Sequence, residues 1–356
     1  MKVLTVVGAR PQFIKSAPVS RAFAKAGIEE YLVHTGQHYD KGMSSIFFDE
    51  LCINKPDLNL GIGSGSQAQQ VGKMLISLEK VMQVQSPDAV VVYGDTNSTL
   101  AGALSARKLN LPVAHIEAGL RSFNQNMPEE TNRILTDHCS SWLFCPTENA
   151  VGQLKKEGLI KGVHLVGDPM YDAILLFGEA SVKRKNILEE LEITPGNFYL
   201  ATIHRVYNTD QKNVLWDIFE ALSQLDKPVI FPIHPRTNKM LKQYKIIPRG
   251  GIRLIPPVGY LEMLVLEKHS RMILTDSGGI QKEAFFLQIP CITLRTETEW
   301  VETVATGWNK VVGTEPAEIL EAARSNNWPQ VPPPQLFGDG SASLQIATIL
   351  NNSFPI

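Results

Sequence analysis

Residues 86–121 read SPDAVVVYGDTNSTLAGALSARKLNLPVAHIEAGLR. An apolar run, Ala89-Val90-Val91-Val92-Tyr93, breaks at Gly94; a stretch of helical periodicity follows, and a second apolar run over 112–116 ends at Glu117. Short Val- and Ile-rich runs that stop at a glycine or polar residue predict strands, and the intervening period of about 3.6 predicts a helix. Strand, helix, strand in that order implies a parallel sheet with helices on both faces.

The same unit recurs in both directions. Strands are expected at 2–7, 31–35, 89–94, 112–116, 142–145 and 163–166, and a second series at 198–203, 228–233, 252–255, 271–275, 290–294 and 310–312. Between the series lies the charged Lys183-Arg184-Lys185 and Glu189-Glu190, then the breaker Thr194-Pro195-Gly196-Asn197. A chain of 356 residues exceeds what one core usually serves. Two α/β domains are therefore expected, 1–170 and 171–340, with a cleft between them available for a ligand. Pro329 and Pro332-Pro333-Pro334 precede a last helical segment at about 341–356 that returns to the first domain.

Composition narrows the function. A formal net charge of -2 gives no broad positive surface for nucleic acid. Met1-Lys2-Val3-Leu4-Thr5-Val6-Val7 before Gly8 is too short for a signal peptide, and no segment approaches a membrane span, so a cytoplasmic protein is expected. Cys52, Cys139, Cys145 and Cys291 show no metal-binding spacing and read as reduced, mostly buried thiols. Gly61-Ile62-Gly63-Ser64-Gly65-Ser66 imitates a phosphate loop but follows no convincing strand, and reads as a loop ahead of a helix over 67–83.

In an open parallel sheet, ligands lie outside the carboxyl ends of the strands. After the first strand, Gly8-Ala9-Arg10-Pro11 starts a helix, with free backbone N–H groups plus Arg10 and Lys15 suited to an anion. After the third stands Asp95, which either caps the next helix or serves a site. Glu117 follows the fourth, where capping does not explain it. Glu129 and Glu130 behind Pro128 suit either the electrostatics of a helix start or a site. In the second half, strand ends carry His204-Arg205 and His234-Pro235-Arg236. Thr275-Asp276-Ser277-Gly278-Gly279 opens a second phosphate-suited helix start, with Glu283 one turn further in. Two such turns with carboxylates and histidines point to a pyrophosphate-linked substrate.

These motifs together, from Gly8-Ala9-Arg10-Pro11 to Thr275-Asp276-Ser277-Gly278-Gly279, resemble the non-hydrolysing UDP-N-acetylglucosamine 2-epimerases over residues 1 to about 313. The resemblance implies two Rossmann-like domains in a GT-B-like arrangement, a homodimer, no metal and no cofactor. It implies reversible conversion of UDP-N-acetylglucosamine to UDP-N-acetylmannosamine through elimination and re-addition of UDP. Asp95, Glu117, Glu129 and His204 match the family's catalytic residues. Arg10, Lys15, His234, Ser277, Gly278, Gly279 and Glu283 match its substrate-binding residues, and Gln37, His38 and Arg205 an activator site. The sequence departs from many members in having Gln12 and Tyr207 where they have Glu. Its wording over 8–15, 35–40 and 121–124 is also similar to epimerases of UDP-2,3-diacetamido-2,3-dideoxyglucuronate, which makes that acidic sugar the second substrate to consider. A GT-B glycosyltransferase using a UDP-sugar is the third reading.

Overall fold

The computed structural model describes residues 1–37, 55–181, 184 and 186–353. The chain divides into two units, Met1–Leu176 with Gln335–Ile356, and Phe177–Pro334, and the division falls inside the helix Pro169–Ser181.

The first unit is built on a parallel sheet of seven strands: β1 (Lys2–Val7), β2 (Glu29–His34), β3 (Leu58–Asn59), β4 (Ala89–Tyr93), β5 (Val113–Ile116), β6 (Trp142–Cys145) and β7 (Val163–Leu165). Their order is β3-β2-β1-β4-β5-β6-β7. The twelve strands expected from the sequence are all present, and β3 is an addition. It has two residues, placed after Pro56 and paired to β2 through Val33 and His34, too short to stand out as an apolar run.

Every residue of β4 is buried, as a central strand covered on both faces must be. Leu4, Val6, Val90 and Val92 meet Met74, Leu78 and Met82 of the helix Gln67–Gln85, and Ala101, Ala103 and Ala106 of the helix Asn97–Lys108. The alanines let the second helix lie close. At Gly102 a β-carbon would stand 3.0 Å from Val92 and 3.3 Å from Val6, so the helix backbone rests directly on the sheet.

The second unit repeats the plan with six strands: β8 (Tyr199–Thr202), β9 (Val229–Pro232), β10 (Ile252–Ile255), β11 (Met272–Thr275), β12 (Cys291–Thr293) and β13 (Asn309–Val311), ordered β10-β9-β8-β11-β12-β13. One face packs against Leu215, Ile218, Phe219 and Leu222, and the other against Met263, Val265, Leu266 and Ala284. In each sheet the winding reverses direction once, between β1 and β4 and between β8 and β11. The crevice outside the carboxyl ends at such a reversal is where open α/β sheets bind ligands.

Cys145 and Cys291 are buried free thiols, and burial pushes the Cys291 thiol up to about 12. Cys52 lies outside the described residues. No helix among the described residues is long and apolar enough to cross a membrane.

The C-terminal helix Ala342–Ser353 belongs to the first unit and packs against the helix Arg10–Lys25. Its start is fixed by a side chain from another element: the carboxylate of Asp172 accepts from Ser343 N (2.7 Å) and Ala342 N (3.3 Å). Asp172→Ala leaves those N–H groups without an acceptor and should cost about 1–2 kcal/mol in urea unfolding. Asp172→Asn, which keeps an acceptor, should cost less; equal stability of both variants and wild type would mean that packing alone holds this helix.

Candidate active site

In the first unit, the residues singled out from the sequence gather where β1, β4 and β5 end. Arg10 opens the helix Arg10–Lys25 directly after the β1 turn and is half-buried. Lys15, one turn on, is buried, and its ammonium donates to the carboxylate of Glu117, which is buried too.

Glu117 is held in a left-handed conformation, φ 72°. A non-glycine residue there carries about 1 kcal/mol or more of strain. It is kept so because its own N–H (3.1 Å) and that of Ala118 (3.0 Å) both donate to the Phe144 carbonyl of the neighbouring strand.

Asp95 does not cap the helix that follows it. Thr96 does, its hydroxyl accepting from Thr99 N at 3.3 Å. The Asp95 carboxylate accepts instead from Arg133 Nη2, and Arg133 Nη1 donates to Glu130 at 2.7 Å. Glu130 is buried and also accepts from Ser122 N (2.9 Å), Ser122 Oγ (2.8 Å) and Phe123 N (2.9 Å). Burial alone would raise its carboxyl; the Ser122 hydrogen bonds, the Arg133 charge and the Phe123 amide outweigh it and hold the group below its ordinary range. Glu129, in the first turn of the helix Pro128–Cys139, is half-buried. Gln37 Oε1 accepts from Ser98 N (3.1 Å) and Ser98 Oγ (2.7 Å) at the end of β2; His38 lies outside the described residues.

In the second unit, Asp276 at the end of β11 is fully buried and gathers the neighbouring strand end. It accepts from His204 N (3.1 Å), Arg205 N (2.9 Å) and Asn208 Nδ2 (3.1 Å), and His204 Nδ1 stands 3.6 Å away. His234 caps the helix Pro235–Tyr244, accepting from Arg236 N at 3.2 Å, with its ring 5.6 Å from that of His204. Ser277 caps the helix Gly278–Phe286, and Glu283 is buried within it. Gly278 has no room for a side chain: a β-carbon would fall 2.5 Å from Glu299 Oε1. Gly279 is more open, the nearest atom being Ser277 Oγ at 3.8 Å. The unit thus presents a helix N-terminus and two imidazoles at the reversal of its sheet, a disposition suited to an anion.

A family model described as UDP-N-acetylglucosamine 2-epimerase matches residues 21–351. The chain belongs to this family. A UDP-N-acetylglucosamine 2-epimerase homolog of Methanococcus maripaludis is 51% identical, over 99% of this chain and 100% of its own. The UDP-2,3-diacetamido-2,3-dideoxy-D-glucuronate 2-epimerase of Pseudomonas aeruginosa is 48% identical, over 98% of this chain and 99% of its own. The crystal structure of the Methanocaldococcus jannaschii UDP-GlcNAc 2-epimerase, in complex with UDP-GlcNAc and UDP, superposes with a TM-score of 0.91 at 46% identity, covering 99% of this chain and 100% of that one.

The sequence gives no role to Asp276 or Arg133, and leaves Glu130 open to a helix start or a site. Arg133 joins Asp95 to Glu130 across about one turn of its own helix and 38 residues of chain. The spacing Glu130-x-x-Arg133 was the one signal available for that join; nothing local ties Asp276 to His204, 72 residues earlier.

Because the folded Glu130 carboxyl sits low, its stabilising contribution is present above its unfolded pKa of about 4.3 and is lost as pH falls through the lower folded value. Glu130→Gln should therefore be less stable than wild type by about 1.5–3 kcal/mol at pH 7. The gap should close below about pH 4. Urea unfolding of both proteins from pH 3 to 7 checks it, and a gap independent of pH would remove the ionised carboxylate from the account.

Proposed function

We propose that this protein interconverts UDP-N-acetylglucosamine and UDP-N-acetylmannosamine by eliminating UDP and adding it back after protonation from the other face. The observation that carries the reading is the set of carboxylates with buried cationic partners, Glu117 with Lys15 and Asp95 with Arg133, at the sheet reversal of a member of the epimerase family.

The chemistry asks for such groups. The C2 hydrogen has no adjacent carbonyl to acidify it, so the C1–O bond to UDP must stretch first and leave the ring oxocarbenium-like. Anionic carboxylates stabilise that cation, and one of them takes the C2 proton. Re-addition needs a donor on the opposite face, so at least two acid/base groups flank the ring; Asp95, Glu117, Glu129 and His204 are the set we assign. The departing diphosphate is held by Arg10, Lys15, His234 and the helix start at Ser277, Gly278 and Gly279, with Glu283 on the ribose hydroxyls. Gln37, His38 and Arg205 are assigned to an activator site for the same nucleotide sugar. The protein acts in the cytoplasm as a homodimer, which light scattering on the purified chain tests.

A second substrate is favoured by one specific observation: the Pseudomonas aeruginosa relative, 48% identical over 98% of this chain, is an epimerase of the diacetamido uronate. Proton NMR in deuterated water separates the two. With UDP-N-acetylglucosamine, deuterium should enter C2 and UDP-N-acetylmannosamine signals should appear. Exchange on the diacetamido uronate nucleotide alone would move the substrate to that sugar, and exchange on neither would sink the epimerase reading.

Asp95→Asn and Glu117→Gln should each lower turnover by about 100- to 10,000-fold. UDP binding, measured by calorimetry, should remain. Full activity in either variant would take that residue out of the mechanism.

A further inference from the structure

Three successive carbonyl oxygens lead into the Asp95 side chain, and each is gripped by a donor from a different element. Tyr93 O accepts from Gln12 Nε2 at 2.7 Å, beside the Thr99 hydroxyl at 2.6 Å. Gly94 O is bonded to His115 Nε2 at 2.7 Å. Asp95 O accepts from Asn132 Nδ2 at 2.9 Å. The donors belong to the helix Arg10–Lys25, to β5 and to the helix Pro128–Cys139, and all three residues are buried. From this we infer that Gln12, His115 and Asn132 are positioning residues, a clamp that fixes the backbone from which Asp95 projects. The inference rests on the role proposed above for Asp95.

The carbonyls need such partners. They lie at the end of β4 and before Thr96, whose carbonyl is the first acceptor of the next helix, taking Leu100 N at 3.1 Å. Their donors are side chains rather than backbone N–H groups of ladder or helix, and a buried carbonyl without a donor is costly. Gly94 adds freedom that has to be removed, since it turns the chain through φ 61°.

The orientation of each clamp is set by its other contacts. Gln12 Oε1 accepts from Gly8 N (2.7 Å) and Ala9 N (3.0 Å), which leaves Nε2 to face Tyr93 O together with the hydroxyls of Thr96 and Thr99. One amide therefore ties the β1 turn that carries Arg10 to the β4 turn that carries Asp95. A carbonyl only accepts, so His115 Nε2 carries a proton. Its Nδ1 lies 2.7 Å from Asp137 Oδ1, and Asp137 is itself held by Gly119 N (3.2 Å) and Arg121 Nη1 (2.7 Å). Asn132 stands one residue before Arg133, so a single helix turn fixes the Asp95 carbonyl and binds its carboxylate.

A misplacement on the order of 1 Å of a reacting group can lower a rate about 100-fold. Gln12→Met and Asn132→Leu keep side-chain volume and remove the donors without adding charge. Each should lower kcat for C2 deuterium exchange about 10- to 100-fold, with KM within about twofold of wild type. Amide hydrogen exchange of the peptide spanning 93–99 should quicken while β8 to β13 keep wild-type protection. A kcat within twofold of wild type in both variants, or a rise in KM with kcat unchanged, would overturn the clamp. If wild type turns over neither sugar nucleotide, the proposed function falls. The clamp is then decided without substrate: unchanged exchange over 93–99 in both variants overturns it, and selective quickening there supports it.

Discussion

A carboxylate can stay ionised out of bulk water only beside a cation or a set of donors, and that requirement shapes the first unit around β4 and β5. Glu117 meets Lys15, and Asp95 meets Arg133, each cation reaching from a helix on another segment of chain. Breaking a buried pair such as Glu117–Lys15 by removing one partner costs about 3–5 kcal/mol, whereas keeping it adds little net stability. Such pairs add little as scaffolding; what they do is hold negative charge at the ends of β4 and β5.

In the second unit the buried acid Asp276 is held differently: it accepts from backbone and side-chain N–H groups of the His204 turn. The acid is consumed in shaping the loop, and what the unit offers outward is imidazole rings and a capped helix start. One unit thus presents carboxylates and the other presents groups suited to phosphate, on sheets with the same plan of reversal.

The strands were legible because Val- and Ile-rich runs ended by glycine or a polar residue leave little else to read, and each observed boundary falls within two residues of the expected one. Leu58–Asn59 was not, being two residues long behind a proline. At the site, the positions of Asp95, Glu117 and His204 could be read, since each follows an apolar run directly. What holds them could not. Whether Asp95 or Thr96 caps the helix is a matter of one residue and of where Arg133 lands. Of two adjacent acids, Glu130 is buried against the loop at 122–123 and Glu129 is half-buried, a difference set by helical phase. Gln12 meets Tyr93 across 81 residues, and no local pattern announces a contact of that kind.

The first unit is discontinuous: its sheet lies before residue 177, but the helix that covers Arg10–Lys25 comes after residue 334. During synthesis the ribosome therefore makes the whole second unit while the first still lacks that cover. The second, continuous unit can complete its core as it emerges, whereas the surface under Ala342–Ser353, including the helix that carries Arg10, Gln12 and Lys15, stays open until the last segment arrives. The carboxylate-bearing unit is built on an element whose cover is translated only after the whole second unit, so a chain cut before residue 335 would retain the phosphate-suited unit and lose the support beneath the acid-bearing one.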